Sequence, residues 1–412
     1  MLVTQTNTPL LSFYPEWKQW KSVLCKDLIG KRLQDLRTPQ LVIDRTILQR
    51  NCERLNFLTD KYGIKVRVHI KSHKTIEATE LQLQGARTDA IVVSTLAEAY
   101  AVMASSLILL GFPISADKFS EVFFLSEKVP AFQIFIALDK YHHSVYGAND
   151  TAHRIRVFLK VDCGYHRAGT ALEDPKTVEL AKRLGSSSYI VLSGLYTHAG
   201  HSYNSRSAEE ALEYLQKECD MARAFRDLFR KHGVNIDYLS IGATPTVQAI
   251  FMQHQHNNKD NVKHILDGIS EVHAGAYTLL DRQQVATELC SFDDVAVSVA
   301  CRVVSVYPDR GSVLIDGGAL AFSKDTAPQG GFGAILDKTS GKQWTLTKIS
   351  QEHGVITDLD TAALQHPLFT CGQLIRVIPN HCCLATACHR FYLVTENGGD
   401  TVVDVWVPIS GW

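Results

Sequence analysis

The chain has 412 residues, against roughly 100–200 for a typical domain, so one large domain with a smaller one is expected. Lys and Arg number 42 and Asp and Glu 43, a balance that gives no electrostatic basis for binding nucleic acid or an anionic membrane. Apolar residues at 45% and charged residues at 21% exclude a disordered chain and leave room for a sizeable core.

The richest apolar window, residues 91–112, is interrupted by Glu98 and by Ser and Thr, so no membrane span is expected. The first residues lack a basic start followed by an apolar run, so no secretory signal is read there. Ten cysteines are too sparse for a disulfide scaffold, which suits reduced thiols and a cytoplasmic protein.

Residues 1–37 carry an aromatic cluster (Phe13, Tyr14, Trp17, Trp20) and read as a helical N-terminal extension. From Thr38, apolar β-rich runs at 65–71, 89–94, 106–111, 132–139, 155–162, 191–198, 236–241 and 270–273 alternate with helical stretches. Most are continuous rather than alternating, as expected of parallel strands covered on both faces. Among the helical stretches, residues 207–231 place Leu212, Leu215, Cys219, Ala222 and Phe225 on one stripe. Eight strand–helix alternations predict an α/β fold, a (β/α)8 TIM-like barrel over residues 38–283, although a doubly wound sheet has the same periodicity. Beyond it, short runs at 296–306, 312–316, 344–349, 374–377, 390–395 and 401–406 with Gly-rich joints predict an all-β domain over 284–412.

The first barrel strand is the most informative. Alternation through residues 65–71 puts Arg67, His69 and Lys71 on one face. Barrel interiors are normally apolar, and Lys71 falls at the C-terminal end of the strand, where barrel enzymes keep their reactive groups. The competing reading is a solvated edge strand.

Gly242-Ala-Thr244 follows the seventh run and Gly275-Ala276 the eighth, the usual phosphate-binding loops of a barrel. A lysine at strand one facing a phosphate pocket at strands seven and eight suggests pyridoxal phosphate held as a Schiff base. Arg167 after the fifth run, and Tyr196, His198 and Tyr203 at and after the sixth, add groups that can stack on or hydrogen-bond a flat cofactor.

In the β domain, His381 and Cys383 at i, i+2 would share one side of a strand and could bind one ion, with Cys382, Cys388 and His389 as alternative ligands. Imidazole plus thiolate favours zinc over hard cations.

Together these residues resemble fold-type III pyridoxal-phosphate enzymes, whose barrel is shared with alanine racemases, and more closely the eukaryotic D-serine dehydratases and D-threonine aldolases. The family motif R-P-H-x-K-x-H-K is matched by Arg67-Val-His69-Ile-Lys71-Ser-His73-Lys74, and the resemblance implies that Lys71 carries the cofactor. By the same resemblance Tyr196, His198 and Tyr203 contact the cofactor, and Thr244, Gly275 and Ala276 hold its phosphate. The P-x-H-x-C pair at His381 and Cys383 then holds Zn2+, where the aldolases have His and Asp. Val68 replaces a family Pro, Ala276 a family Asn, and Tyr165-His166 replace small residues.

The activity implied is dehydration of D-serine, possible also for D-threonine, to a keto acid and ammonia by a homodimer whose partner is a small-molecule D-amino acid. The competing activities are a D-threonine or 3-hydroxyaspartate aldolase, a racemase, and a non-catalytic pyridoxal-phosphate carrier.

Overall fold

The computed structural model describes residues 14–105, 107–129, 131–135, 154–255, 259–337 and 339–412. Phe13, Ser106 and positions 136–139 of the fourth predicted strand lie outside the described residues. The chain forms two compact units. Among the described residues, one takes those of 53–275 with 409–412, and the other 14–52 with those of 276–408.

The first strand in chain order, β1 (Gln40–Asp44), is not part of the barrel. The barrel is closed by eight parallel strands: β2 (Lys65–His69), β3 (Ala90–Val93), β4 (Leu107–Pro113), β5 (Gln133–Phe135), β6 (Ile155–Lys160), β7 (Ile190–Tyr196), β8 (Leu239–Ile241) and β9 (Glu271–Ala274). Closure is made by β2 and β9, which pair from Lys65↔Glu271 to Val68↔Ala274. The open doubly wound alternative is thereby excluded. Outward positions such as Val66, Val68, Ile91 and Val157 are buried, as expected for strands covered by helices. The helix Ala208–Lys231 starts at Ser207, whose side chain accepts from the Glu210 amide, and it buries the predicted stripe Leu212, Leu215, Cys219, Ala222 and Phe225.

The second unit is built on one large sheet whose main path runs Gln343–Leu346, Gly333–Leu336, Leu374–Pro379, Val297–Tyr307, β1, Tyr392–Thr395 and Asp404–Trp406. Ser312–Ile315, Lys348–Ile349 and Gly354–Ile356 extend it from the Val297–Tyr307 strand. The barrel expected to start at residue 38 therefore starts later. β1 is antiparallel to Val297–Tyr307 and parallel to Tyr392–Thr395, so its apolar run fills the centre of the other sheet. A fully buried strand reads alike in either sheet, and only its pairing tells them apart. The expected end at 283 likewise moves to 275, and residues 409–412 return to the barrel unit, where Ile409 N–H donates to the Lys74 carbonyl at 2.7 Å. Gly333–Leu336 and Gly354–Ile356 are strands missed in the sequence, being short and bounded by glycine.

In the N-terminal segment, the helix Tyr14–Leu28 packs Leu24, Cys25 and Leu28 on the core of Leu33, Val42, Leu393, Val402 and Val405. None of the ten cysteines forms a disulfide. No helix among the described residues is long and apolar enough to cross a membrane.

Candidate active site

The strand alternation that groups Arg67, His69 and Lys71 stops at His69. Residues Ile70–Ser72 form a 3-10 turn, and the Lys71 amide reaches His69 Nδ1 at 3.4 Å. Lys71 thus sits at the C-terminal end of β2 on a turn, not on the strand face expected. Lys74, the other lysine of the motif, is held by the buried Glu98 carboxylate at 2.9 Å. His73 is fully buried, with its Nε2 2.8 Å from Gln82 Oε1, and serves the packing of the turn.

Arg67 points inward but carries no reaction. It is buried with Glu271 of β9, Nε to Oε1 at 2.7 Å, and Tyr238 donates to the second carboxylate oxygen at 2.8 Å. Above this pair, towards the strand ends, the interior is lined by His69, Lys160, Tyr196, His198 and His273. Tyr196 and His273 stack at 3.9 Å with 10° between ring planes. His198 donates from Nδ1 to the Gly242 carbonyl at 2.9 Å. Burial first, and then the positive charges of the site, lower His69, His198 and His273 well below the usual imidazole range, so all three are neutral at pH 7.

Arg167 lies in the exposed loop after β6, its guanidinium 5.2 Å from the Tyr165 ring. Tyr203 sits in the 3-10 turn Gly200–Asn204 after β7. Thr244, buried, opens the helix Thr244–Gln255 after β8, and Gly275 follows β9. Ala276 begins the segment that belongs to the second unit.

Sequence reasoning missed Glu218. It is buried and accepts from Thr197 Oγ1 at 2.6 Å, the Ala199 amide at 2.9 Å and the Gly242 amide at 3.2 Å, tying together the loops after β7 and β8. The signal was a carboxylate at i+3 from Leu215 inside the helix's apolar stripe. Also missed were Ser240, Glu271 and His273.

Lys160, at the end of β6, is 9% exposed, with Nζ 4.8 Å from the Tyr196 ring centre. Burial, and then Arg167, lower its ammonium from 10.5 to about 8. Between these values the unfolded chain holds the proton and the folded chain does not, so this group's contribution to stability rises with pH. Below about pH 8 its cost is complete and constant. Lys160→Met should therefore gain on the order of 3 kcal/mol at pH 7, and the gain should shrink towards pH 10, as read by urea unfolding at both pH values.

The site can accept pyridoxal phosphate. The helix N-terminus at Thr244 favours an anion. Gly242, at φ +145°, and Gly275 sit where an added Cβ would come 2.2 Å from the His273 carbonyl and 2.9 Å from the His69 carbonyl, so backbone alone lines these turns. The His273 Nε2 atom is buried with no hydrogen-bond partner.

In the second unit the strand Leu374–Pro379 ends before the H-x-C pair. His381 caps the short helix Cys382–Ala387 and Cys383 lies in its first turn, so the pair is not on a strand as expected. The Leu-Ala-Thr-Ala sequence continues as helix, and the Ala385 amide closes on the His381 carbonyl at 3.0 Å. The cap geometry still brings the two side chains together, and a hydrogen bond links them. His381 Nδ1 is 2.5 Å from Asp325 Oδ2, a carboxylate 56 residues earlier that no local motif could reveal. Burial alone would lower the His381 imidazole, but Cys383, Asp281 and Asp325 raise it to about 9. The pocket thus favours a cation. Cys388 and His389 are occupied by backbone carbonyls of Leu384 and Ala321, and Cys382 is fully buried. The described residues contain no cluster of three or more His, Cys, Asp and Glu side chains suited to a metal. The donor set is a nitrogen–sulfur pair that fits zinc, with Asp325 orienting the imidazole.

The chain is similar to known proteins over most of its length. Residues 43–260 match the family "Alanine racemase, N-terminal domain" and residues 296–395 match "Putative serine dehydratase domain". The D-serine dehydratase of Schizosaccharomyces pombe is 37% identical over 95% of this chain and 96% of its own length. That of Saccharomyces cerevisiae is 30% identical over 93% and 98%. Among solved structures, D-threo-3-hydroxyaspartate dehydratase from Delftia sp. HT23 superposes with a TM-score of 0.79 at 26% identity, covering 93% of this chain and all of that one. A cysteine-to-alanine variant of that enzyme is described in a metal-free form. The chain belongs to the D-serine dehydratase family, lyases whose barrel is alanine racemase-like.

Proposed function

We propose that the chain converts D-serine to pyruvate and ammonia, with pyridoxal phosphate on Lys71 and zinc on His381 and Cys383. The observation that carries this reading is that one chain holds both a lysine at the C-terminal end of a closed-barrel strand and, in its second unit, a nitrogen–sulfur donor pair. When bound, the cofactor supplies an electron sink at Cα, and zinc supplies a Lewis acid for the β-hydroxyl.

The protein's own groups do the rest. Lys71 would hold the cofactor, and its amine would take the Cα proton of the bound substrate. His69 and His198 stay neutral and add no charge beside it. Glu218 holds the loops after β7 and β8 in register, and Asp325 fixes the imidazole of His381. Overall, D-serine would lose one water and regain one, giving pyruvate and ammonia.

Purified protein with D-serine should form pyruvate, lose that activity on chelation and regain it with zinc, while L-serine gives none. Glycine from D-threonine without pyruvate would move the reading to an aldolase. Uptake of the cofactor without turnover of either substrate would leave a carrier. Asp325→Asn should weaken zinc affinity by about 10–100-fold, read by competition with a chromophoric chelator.

A further inference from the structure

Among the described residues, His273 Nε2 is one of several buried polar atoms of the barrel unit without a partner, and it lies among the polar side chains at the strand ends. Arg67 is a permanent cation, and Glu271 beside it at 2.7 Å is a carboxylate that can only accept. Ser240 Oγ lies 2.7 Å from Glu271 Oε1, so the serine's single proton goes to the carboxylate. Ser240 Oγ also lies 3.0 Å from His273 Nδ1. Having spent its proton, the hydroxyl can only accept there, so Nδ1 carries the hydrogen of His273.

The imidazole is neutral. Burial comes first, then the positive or polar groups that face it, His198, Lys160, His69 and Arg67, each disfavouring a second proton. Its Nε2 is therefore a bare lone pair. That atom is buried and has no partner, and the residue is 3% exposed. With Nδ1 turned back to Ser240, Nε2 faces the opposite side of the ring, and Tyr196 covers one ring face at 3.9 Å. An unpaired buried acceptor costs roughly as much as a lost hydrogen bond, so a ligand N–H or O–H is needed here.

We infer that His273 is the acceptor for the protonated pyridine nitrogen of the cofactor, its lone pair aimed and its tautomer fixed by the chain Arg67–Glu271–Ser240. This rests on the pyridoxal-phosphate reading above. Pyridoxal-phosphate sites commonly set an Asp or an Arg against this nitrogen, fixing it as pyridinium or as bare pyridine. A neutral imidazole acceptor keeps the proton on the ring without adding a negative charge beside it. The sink for the Cα electrons is then strong, and its strength is set by a residue that never touches the substrate.

The test is solid-state 15N NMR of the holoenzyme reconstituted with cofactor labelled at the ring nitrogen, the protein carrying 15N-histidine. The wild type should show a pyridinium-type ring nitrogen in dipolar contact with an unprotonated histidine nitrogen. His273→Phe should move the ring nitrogen to the neutral pyridine position, and His273→Gln, whose amide oxygen can accept, should restore it. A pyridinium signal unchanged in His273→Phe, or no histidine contact in the wild type, overturns the inference alone. The wild-type contact decides the matter even where a variant fails to fold. Failure of the wild type to take up the cofactor overturns the functional reading, and this inference with it.

Discussion

Lys71→Ala is expected to lower D-serine turnover by at least about 10⁴-fold, because in the proposed function it removes both the covalent anchor and the general base. Lys74→Ala should keep the anchor. The two lysines are three residues apart in one motif, and they differ in what surrounds them. Lys74 is engaged by the buried Glu98 at 2.9 Å, so its ammonium is tied to structure. Lys71 stands on the turn Ile70–Ser72, close to His69, at the open end of the strand. Borohydride reduction of cofactor-loaded protein followed by mass spectrometry of its peptides separates the cases. An adduct on Lys71 in the wild type and in Lys74→Ala, and none in Lys71→Ala, is the expected result. An adduct that survives in Lys71→Ala would overturn the assignment.

The second large effect is on stability. Glu271→Gln should cost about 3–5 kcal/mol, because it leaves the Arg67 guanidinium buried without its counter-charge. For a unit of this size that lowers the melting temperature by on the order of 10 °C. The pair is 1% exposed on both sides, so solvent cannot take over. Replacing both partners, as in Arg67→Met with Glu271→Leu, should recover most of the loss, because no charge is then buried. It should not recover activity, since Ser240 would be free to donate to His273 and the tautomer would no longer be fixed. Thermal melts of the three proteins, set beside their pyruvate assays, check both parts.

Much of the barrel was legible because a buried parallel strand writes itself as a short apolar run, and eight runs recur with helices between them. The polar residues singled out on those runs, Lys71, Tyr196, His198, Thr244 and Gly275, all lie at or just beyond the C-terminal ends of strands. The H-x-C pair was found for its chemistry, though its backbone was misjudged. Leu384, Ala385 and Ala387 propagate a helix from His381, and proximity survives because a cap residue and the first turn also face each other.

What the sequence determined by itself is local: which segments alternate, which residues carry groups capable of reaction, and which motif resembles a known family. Only the tertiary structure decided where the barrel begins, because β1 has the same apolar run in either sheet and hydrogen-bond partners alone place it. It also decided which polar residues work together. Glu218 meets Thr197 and Gly242, Asp325 meets His381, and Glu271 meets Arg67, across gaps of tens to hundreds of residues. A buried charge or hydrogen-bond donor must find its partner in space, and no spacing in the chain records which partner that is.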